Sequence, residues 1–320
     1  MNSLFGLKDF PVVNAEKLFY NLLMFYIGEE YQSFCSKNCN RRDFIVSYLE
    51  KRGVKSVILP IDGHEHIYVV FPKSHYSPMF RIKTVIAHYD RFEGSPGAND
   101  NSSAVFALME WASKLMSSGM QHNVRLIFTD GEEISESQNR GVAEQGAFAL
   151  AALFKRLKIT DDDVYVFDSV GRGTVPVIGK TELPKNVSST FKNKFIDLKN
   201  RTANLLRVSS GGSFVTLPIS YSDNAGFLAC GIPAIAVTML PSEEVNKFMF
   251  DLVRVPVLEN YVMNKKIPEY IDKITLEEMI PQTWKLFHTP ADSVDSLTTE
   301  SFAVMERILF NLAKEHSYSN

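Results

Sequence analysis

Apolar residues recur along this chain in two rhythms, and the way the rhythms alternate predicts a fold class. Leu18, Leu22, Phe25, Tyr26 and Phe34 keep helical spacing over 14–34, and Phe44, Ile45, Tyr48 and Leu49 keep it over 41–52. Residues 54–59 and 66–71 then read as a hairpin-like pair of strands around Asp62-Gly63. Short, more apolar runs at 84–87 and 124–129 have the character of central strands covered on both faces, 164–167 and 175–178 read as further strands, and 234–239 as a buried-type strand. Helical segments separate them. One follows Ser102-Ser103 with Val105, Leu108, Met109, Ala112 and Leu115, and others are predicted over 144–158, 187–206 and 221–229. Phe302, Met305, Ile308, Leu309 and Leu312 define a closing helix over 299–314. Strands alternating with helices specify an α/β protein with helices packed on a sheet. Residues 241–283 show no long clear period and are predicted to be an insertion folded over the surface.

Length and composition narrow this picture without changing it. A chain of 320 residues could hold two domains, but no repeat, low-complexity tract or flexible linker divides it, so one domain over 1–320 is expected. The net charge of −3 points to neither nucleic acid nor an anionic membrane as a partner. The apolar run at 18–27 is broken by Asn21 and is too short to span a bilayer. Lys8, Asp9, Glu16 and Lys17 before it lack the layout of a secretion signal, so a cytoplasmic address is expected. Cys35, Cys39 and Cys230 are too few for a disulfide framework, which agrees with a reducing compartment.

The chemistry gathers where strands end. The run at 84–87 ends in His88-Tyr89-Asp90, 124–129 in Asp130-Gly131-Glu132-Glu133, and 164–167 in Asp168. The polar turn Gly97-Ala98-Asn99-Asp100-Asn101 opens a helix, and His288-Thr289 precedes Asp292. Carboxyl ends of strands form the ligand crevice of open α/β sheets, so these groups should share one rim. His88, Asp100, Glu133, Asp168 and His288 supply the imidazole nitrogens and carboxylate oxygens that zinc accepts. Five ligands are one too many for a single tetrahedral ion but fit two ions sharing a carboxylate and a water. Such ions, about 3.5–4 Å apart, lower the pKa of the water and hold both oxygens of a tetrahedral transition state. Of the adjacent Glu132 and Glu133, one can bind metal while the other acts as general base. Asp90 is placed to accept the second ring N–H of His88 and fix its tautomer. Taken singly, each carboxylate reads as a solvated loop or a cap, Asp100 included; five in order do not. His64, His66, Cys35 and Cys39 fit no standard zinc spacing and read as ordinary residues. The Gly-Ser stretch at 209–213 lacks the lysine of a phosphate loop and reads as a turn.

Together, His88-Tyr89-Asp90, Gly97 to Asn101, Glu132-Glu133, Asp168 and His288-Thr289 with Asp292 resemble the co-catalytic zinc aminopeptidases related to bacterial leucyl aminopeptidase and, more distantly, glutamate carboxypeptidase. The resemblance spans roughly residues 40–310. It implies a mixed, mostly parallel central sheet flanked by helices, and removal of an N-terminal residue from a peptide with a free α-amine. Two Zn2+ per chain are implied, with Asp100 bridging, His88 and Asp168 completing one site, Glu133 and His288 the other, and Glu132 as general base. The side-chain pocket is expected from Tyr221, Ser222, Asp223 and Phe227 together with 241–283, which could also form a lid or a homo-oligomer contact. Three departures stand out: Ser222-Asp223-Asn224 lacks the His that many relatives carry there, 241–283 is longer than the usual connection, and 134–141 is longer and more polar than the usual turn. Glutaminyl cyclases share the scaffold and the His-Tyr-Asp and Asp-Gly-Glu-Glu words, and would hold one zinc with Asp100, Glu133 and His288. Asn99, Asn101 and Phe287 follow the peptidase pattern. A third reading, an inactive peptidase-like binding domain, conflicts with the retention of every ligand.

Overall fold

Residues two apart on a strand face opposite layers from their neighbours, and here that alternation sorts the core. In a computed structural model that describes residues 28–133, 141–183 and 186–318, β3 (Lys83–His88) sends Val85 and Ala87 to one layer and Ile86 to the other. β4 (Val124–Thr129) divides Leu126 and Phe128 from Ile127, and β5 (Asp163–Phe167) divides Tyr165 and Phe167 from Val164 and Val166. On the first layer pack the helices Arg41–Lys51, Ser103–Ser118, Ser189–Ser209 and Thr299–Lys314; on the second pack Gly146–Arg156 and Asn224–Ala229. Strands covered on both faces must be apolar throughout, which is why these runs carried so few polar residues.

With β1 (Lys55–Ile61), β2 (His64–Val70), β6 (Val175–Gly179), β7 (Val215–Leu217) and β8 (Ala234–Leu240), the sheet has the order β1-β2-β4-β3-β5-β8-β6-β7. The middle of it, β4-β3-β5-β8, is parallel, and antiparallel pairings occur at β1/β2, β2/β4 and β6/β8. The fold is therefore the mixed, mostly parallel α/β sheet expected. Asp62 and Gly63 both take positive φ, the geometry of a two-residue hairpin turn, and close β1 onto β2. Parallel registry pairs His88 with Thr129 and Ile86 with Val166, so the carboxyl ends of β3, β4 and β5 lie on one edge.

The helix expected over 14–34 lies largely outside the described residues, and its last turns form the helix Glu29–Cys35. The segment 241–283 is more regular than its sequence suggested. It contains the helices Ser242–Arg254, Val257–Val262 and Lys273–Met279, and leads into Gln282–Lys285. Val245, Phe248 and Leu252 follow helical spacing and pack with Leu258, Val262 and Leu276 over Val175, Val177 and Leu217. That period is hidden because Met249, Phe250 and Val253 put large apolar groups on the exposed face of the same helix.

A buried imidazole pair supports the amino end of β4. The backbone N–H of Val124 donates to His122 Nδ1 at 3.0 Å, so the His122 proton sits on Nε2, 3.1 Å from His75 Nδ1. Burial, with repulsion from His75, Lys83 and His316, pushes His122 down to about 3. The unfolded chain protonates this histidine near pH 6.5 and the folded chain does not, so stability falls as pH drops below 6.5, by about 1.4 kcal/mol per pH unit. Denaturant unfolding between pH 7.5 and 4.5 should show a steeper loss for the wild type than for His122→Gln. Parallel pH profiles would exclude this role.

Candidate metal centre

Each ligand candidate is set in place by an element end. His88 closes β3, Asp168 follows β5, and Glu132 and Glu133 follow β4 after a positive-φ turn at Gly131. Asp100 sits in the irregular turn Ala98–Ser102 ahead of the helix Ser103–Ser118, and its peptide bond to Asn101 is cis. Side chains bolt this turn to its surroundings. The Asp292 carboxylate accepts the N–H groups of Asn99 and Asp100 at 2.8 and 3.0 Å. The Asn101 amide donates to Phe167 O at 3.0 Å and accepts from Ser169 N at 3.1 Å, while Asn99 Oδ1 accepts from Gly171 N at 2.7 Å. Asp90 does more than its spacing foretold. Its Oδ1 lies 3.5 Å from His88 Nδ1, and its carboxylate also accepts the N–H groups of Glu132 at 3.3 Å and Glu133 at 2.8 Å. One carboxylate thereby holds the histidine and the acidic pair in mutual register.

The result is a convergence of groups distant in sequence. Asp100 Oδ1 is 3.2 Å from His88 Nε2, and Asp168 Oδ1 is 3.6 Å from the same nitrogen. The other oxygen of Asp100 is 3.8 Å from His288 Nε2, which meets Glu133 Oε2 at 2.9 Å. Two potential ligand groups, His88-Asp100-Asp168 and Asp100-Glu133-His288, thus share Asp100, and within each the donor atoms lie within 4.8 Å of one another. A further group of the same compactness joins His88 to Glu132 and Glu133.

Electrostatics show that the arrangement is short of positive charge. Burial raises Glu132 well above the ordinary carboxylate value; His88 opposes this, and repulsion from Glu133, Asp168 and Asp223 adds to it. Burial and Asp100 push Glu133 up to about 7, against the pull of His288. Burial disfavours protonation of His88, but the carboxylates of Asp100, Asp168 and Asp90 outweigh it and hold its pKa well above the usual range. Among the described residues, both nitrogens of this fully buried ring lack an aligned hydrogen-bond partner. A concentration of imidazole and carboxylate donors with surplus negative charge fits zinc in its chemistry.

The cleft beside these groups, about 360 Å³, is lined by Glu132, Asp168, Ile219, Tyr221, Ser222, Tyr261, Ile280, Trp284 and Phe287 among others. Tyr221 and Ser222, expected in the substrate pocket, line this cleft. Asp223 is fully buried behind the wall and accepts a hydrogen bond from Thr129 Oγ1. Phe227 corrects the expectation of a pocket residue. It faces the core, fully buried, its ring 5.7 Å from that of Phe154, because the short helix Asn224–Ala229 turns it toward the Gly146–Arg156 helix. Trp284, Tyr261 and Ile280 were not singled out from sequence, since only packing of the 241–283 helices against the sheet brings them to the cleft. His66 lies in β2 accepting the N–H of Asp130 at 3.2 Å, and Cys35 contacts Ser102 Oγ at 3.6 Å.

Residues 78–313 match the sequence profile described as peptidase family M28. The chain belongs to family M28. Its fold agrees with that membership across nearly its whole length. The LapA aminopeptidase of Legionella pneumophila superposes with a TM-score of 0.61 at 16% identity, covering 97% of this chain and 77% of that one. A glutaminyl cyclase of Bacteroides thetaiotaomicron gives 0.60 at 15% identity, covering 95% of this chain and 98% of that one. That of Porphyromonas gingivalis gives 0.57 at 16%, covering 94% and 98%. At such identities the likeness is one of fold. No curated protein matches the sequence. M28 membership supports a hydrolase of metallopeptidase type, and no helix among the described residues is long and apolar enough to cross a membrane.

Proposed function

We propose that this M28 protein is a zinc-dependent aminopeptidase acting on peptides with a free N-terminus. The observation that carries the reading is the pair of donor groups sharing Asp100, with half-buried Glu132 beside them. His88, Asp100 and Asp168 would hold one zinc ion, and Asp100, Glu133 and His288 a second. When bound, zinc supplies Lewis-acid activation of water and positive charge for a tetrahedral transition state. Glu132 takes a proton from the attacking water on its carboxylate and returns it to the leaving amine, a task suited to a carboxyl group whose pKa burial has raised well above the ordinary carboxylate value. Asp90 fixes the direction from which Glu132 acts by holding its backbone. Ile219, Tyr221, Ile280, Trp284 and Phe287 exclude water from the cleft and receive the side chain of the N-terminal residue.

One observation favours a second reading, cyclisation of N-terminal glutamine. Two glutaminyl cyclases superpose on this chain with TM-scores of 0.60 and 0.57, and its cleft presents Trp284 as well as Phe287. Metal content per chain, measured with a panel of aminoacyl amides and N-terminal glutaminyl peptides, separates the readings. Two ions with amide hydrolysis is the result expected. One ion with ring closure selects the cyclase, and neither activity leaves a binding domain.

A further inference from the structure

The acidic floor of the site rests on a buried cation that the family match does not include. Arg41 opens the helix Arg41–Lys51, ahead of residues 78–313, yet its guanidinium reaches under the metal-ligand loops. Nη1 donates to the carbonyls of Tyr89 and Asp90 at 3.1 and 3.2 Å. Nη2 donates to Pro96 O at 2.8 Å, Gly97 O at 3.4 Å and Ser102 Oγ at 2.9 Å. One nitrogen thus holds the His88-Asp90 loop and the other the turn carrying Asp100. Only a planar fork with fixed donor directions can tie two separate loops in this way; a lysine ammonium is a single point.

The seat is tight. Gly97 has φ 59°, and a Cβ there would come within 2.6 Å of Asp100 O and 3.1 Å of Arg41 Nη2. The face of Phe34 covers the guanidinium at 4.6 Å, and Tyr31 OH, from the helix Glu29–Cys35, donates to Ala98 O at 2.6 Å. Two helices before the matched region therefore grip the same turn.

We propose that Arg41 is a positioning residue for the metal centre, setting the distance between His88 and Asp100 by clamping the two loops that carry them. The inference rests on the zinc reading above. Arg41 touches no reacting group; it acts through carbonyls, so its loss should weaken the joining of the ligands more than the binding of substrate.

The test compares wild type, Arg41→Met and Arg41→Lys for zinc affinity by chelator competition, thermal unfolding of the metal-free proteins, and kcat and KM on an aminoacyl amide. Arg41→Met should lower zinc affinity at least tenfold, with kcat falling while KM changes less than threefold. Arg41→Lys, which keeps the charge and loses the fork, should show most of the same loss. It also serves as the folding control should the methionine variant fail to fold. A folded variant with wild-type zinc affinity would overturn the role of Arg41, as would affinity fully restored by lysine, since charge alone would then suffice. Absence of zinc binding by the wild type would instead overturn the reading of the site.

Discussion

Glu132→Gln should leave the protein folded and zinc-loaded while reducing kcat by about two to four orders of magnitude, the range over which a positioned general base acts. The amide is close in shape to the carboxylate and still hydrogen-bonds, but it cannot hold a transferable proton. Its backbone N–H stays on Asp90, so the register of Glu133 is preserved. The substitution also removes one of the like charges that crowd Glu133 and Asp168, so zinc binding need not suffer. Metal content by elemental analysis alongside steady-state kinetics distinguishes the cases. Turnover within tenfold of the wild type would remove Glu132 from its proposed part.

Asp100→Asn should have the broader consequence, loss of metal and activity together. Asp100 offers one oxygen toward His88 and the other toward His288, so its charge serves both donor groups. Replacing it with a neutral amide weakens each ligand set at once, whereas His288→Ala disturbs only the group it shares with Glu133. After dialysis against a weak chelator the asparagine variant should retain well under one ion per chain, and His288→Ala about one. Fold retention is expected because Asp292 holds the turn through backbone N–H groups, not through the Asp100 side chain. Equal metal content in the two variants would contradict the sharing of Asp100.

Much of the site was legible because its chemistry lies at element ends, where sequence order already implies position. Apolar strands stop at His88, Thr129 and Phe167, and parallel pairing then sets their next residues on one edge. Asp90 was legible in part: its nearness to His88 follows from a spacing of two residues, but its grip on Glu132 and Glu133 crosses between strands. The pocket was less legible. Phe227 and Tyr221 are close in sequence and both aromatic, yet one is buried in the core and the other exposed at the cleft. A six-residue helix cannot reveal by period which way its ring turns.

Arg41 marks the limit most clearly. At the start of an amphipathic helix, an arginine ordinarily reads as a solvated residue, and nothing local distinguishes it from Arg42, which is partly exposed and paired with Glu65. The local sequence sufficed for the alternation of strands and helices, the apolar centre of the sheet and the ordered ligand set, because these depend on periodicity and on where an element stops. Tertiary packing alone decided the grip of Asp90 on Glu132 and Glu133, the aromatic wall from 241–285 and the cation beneath the site. Each of these is a contact between segments whose separation along the chain carries no information about their distance in space.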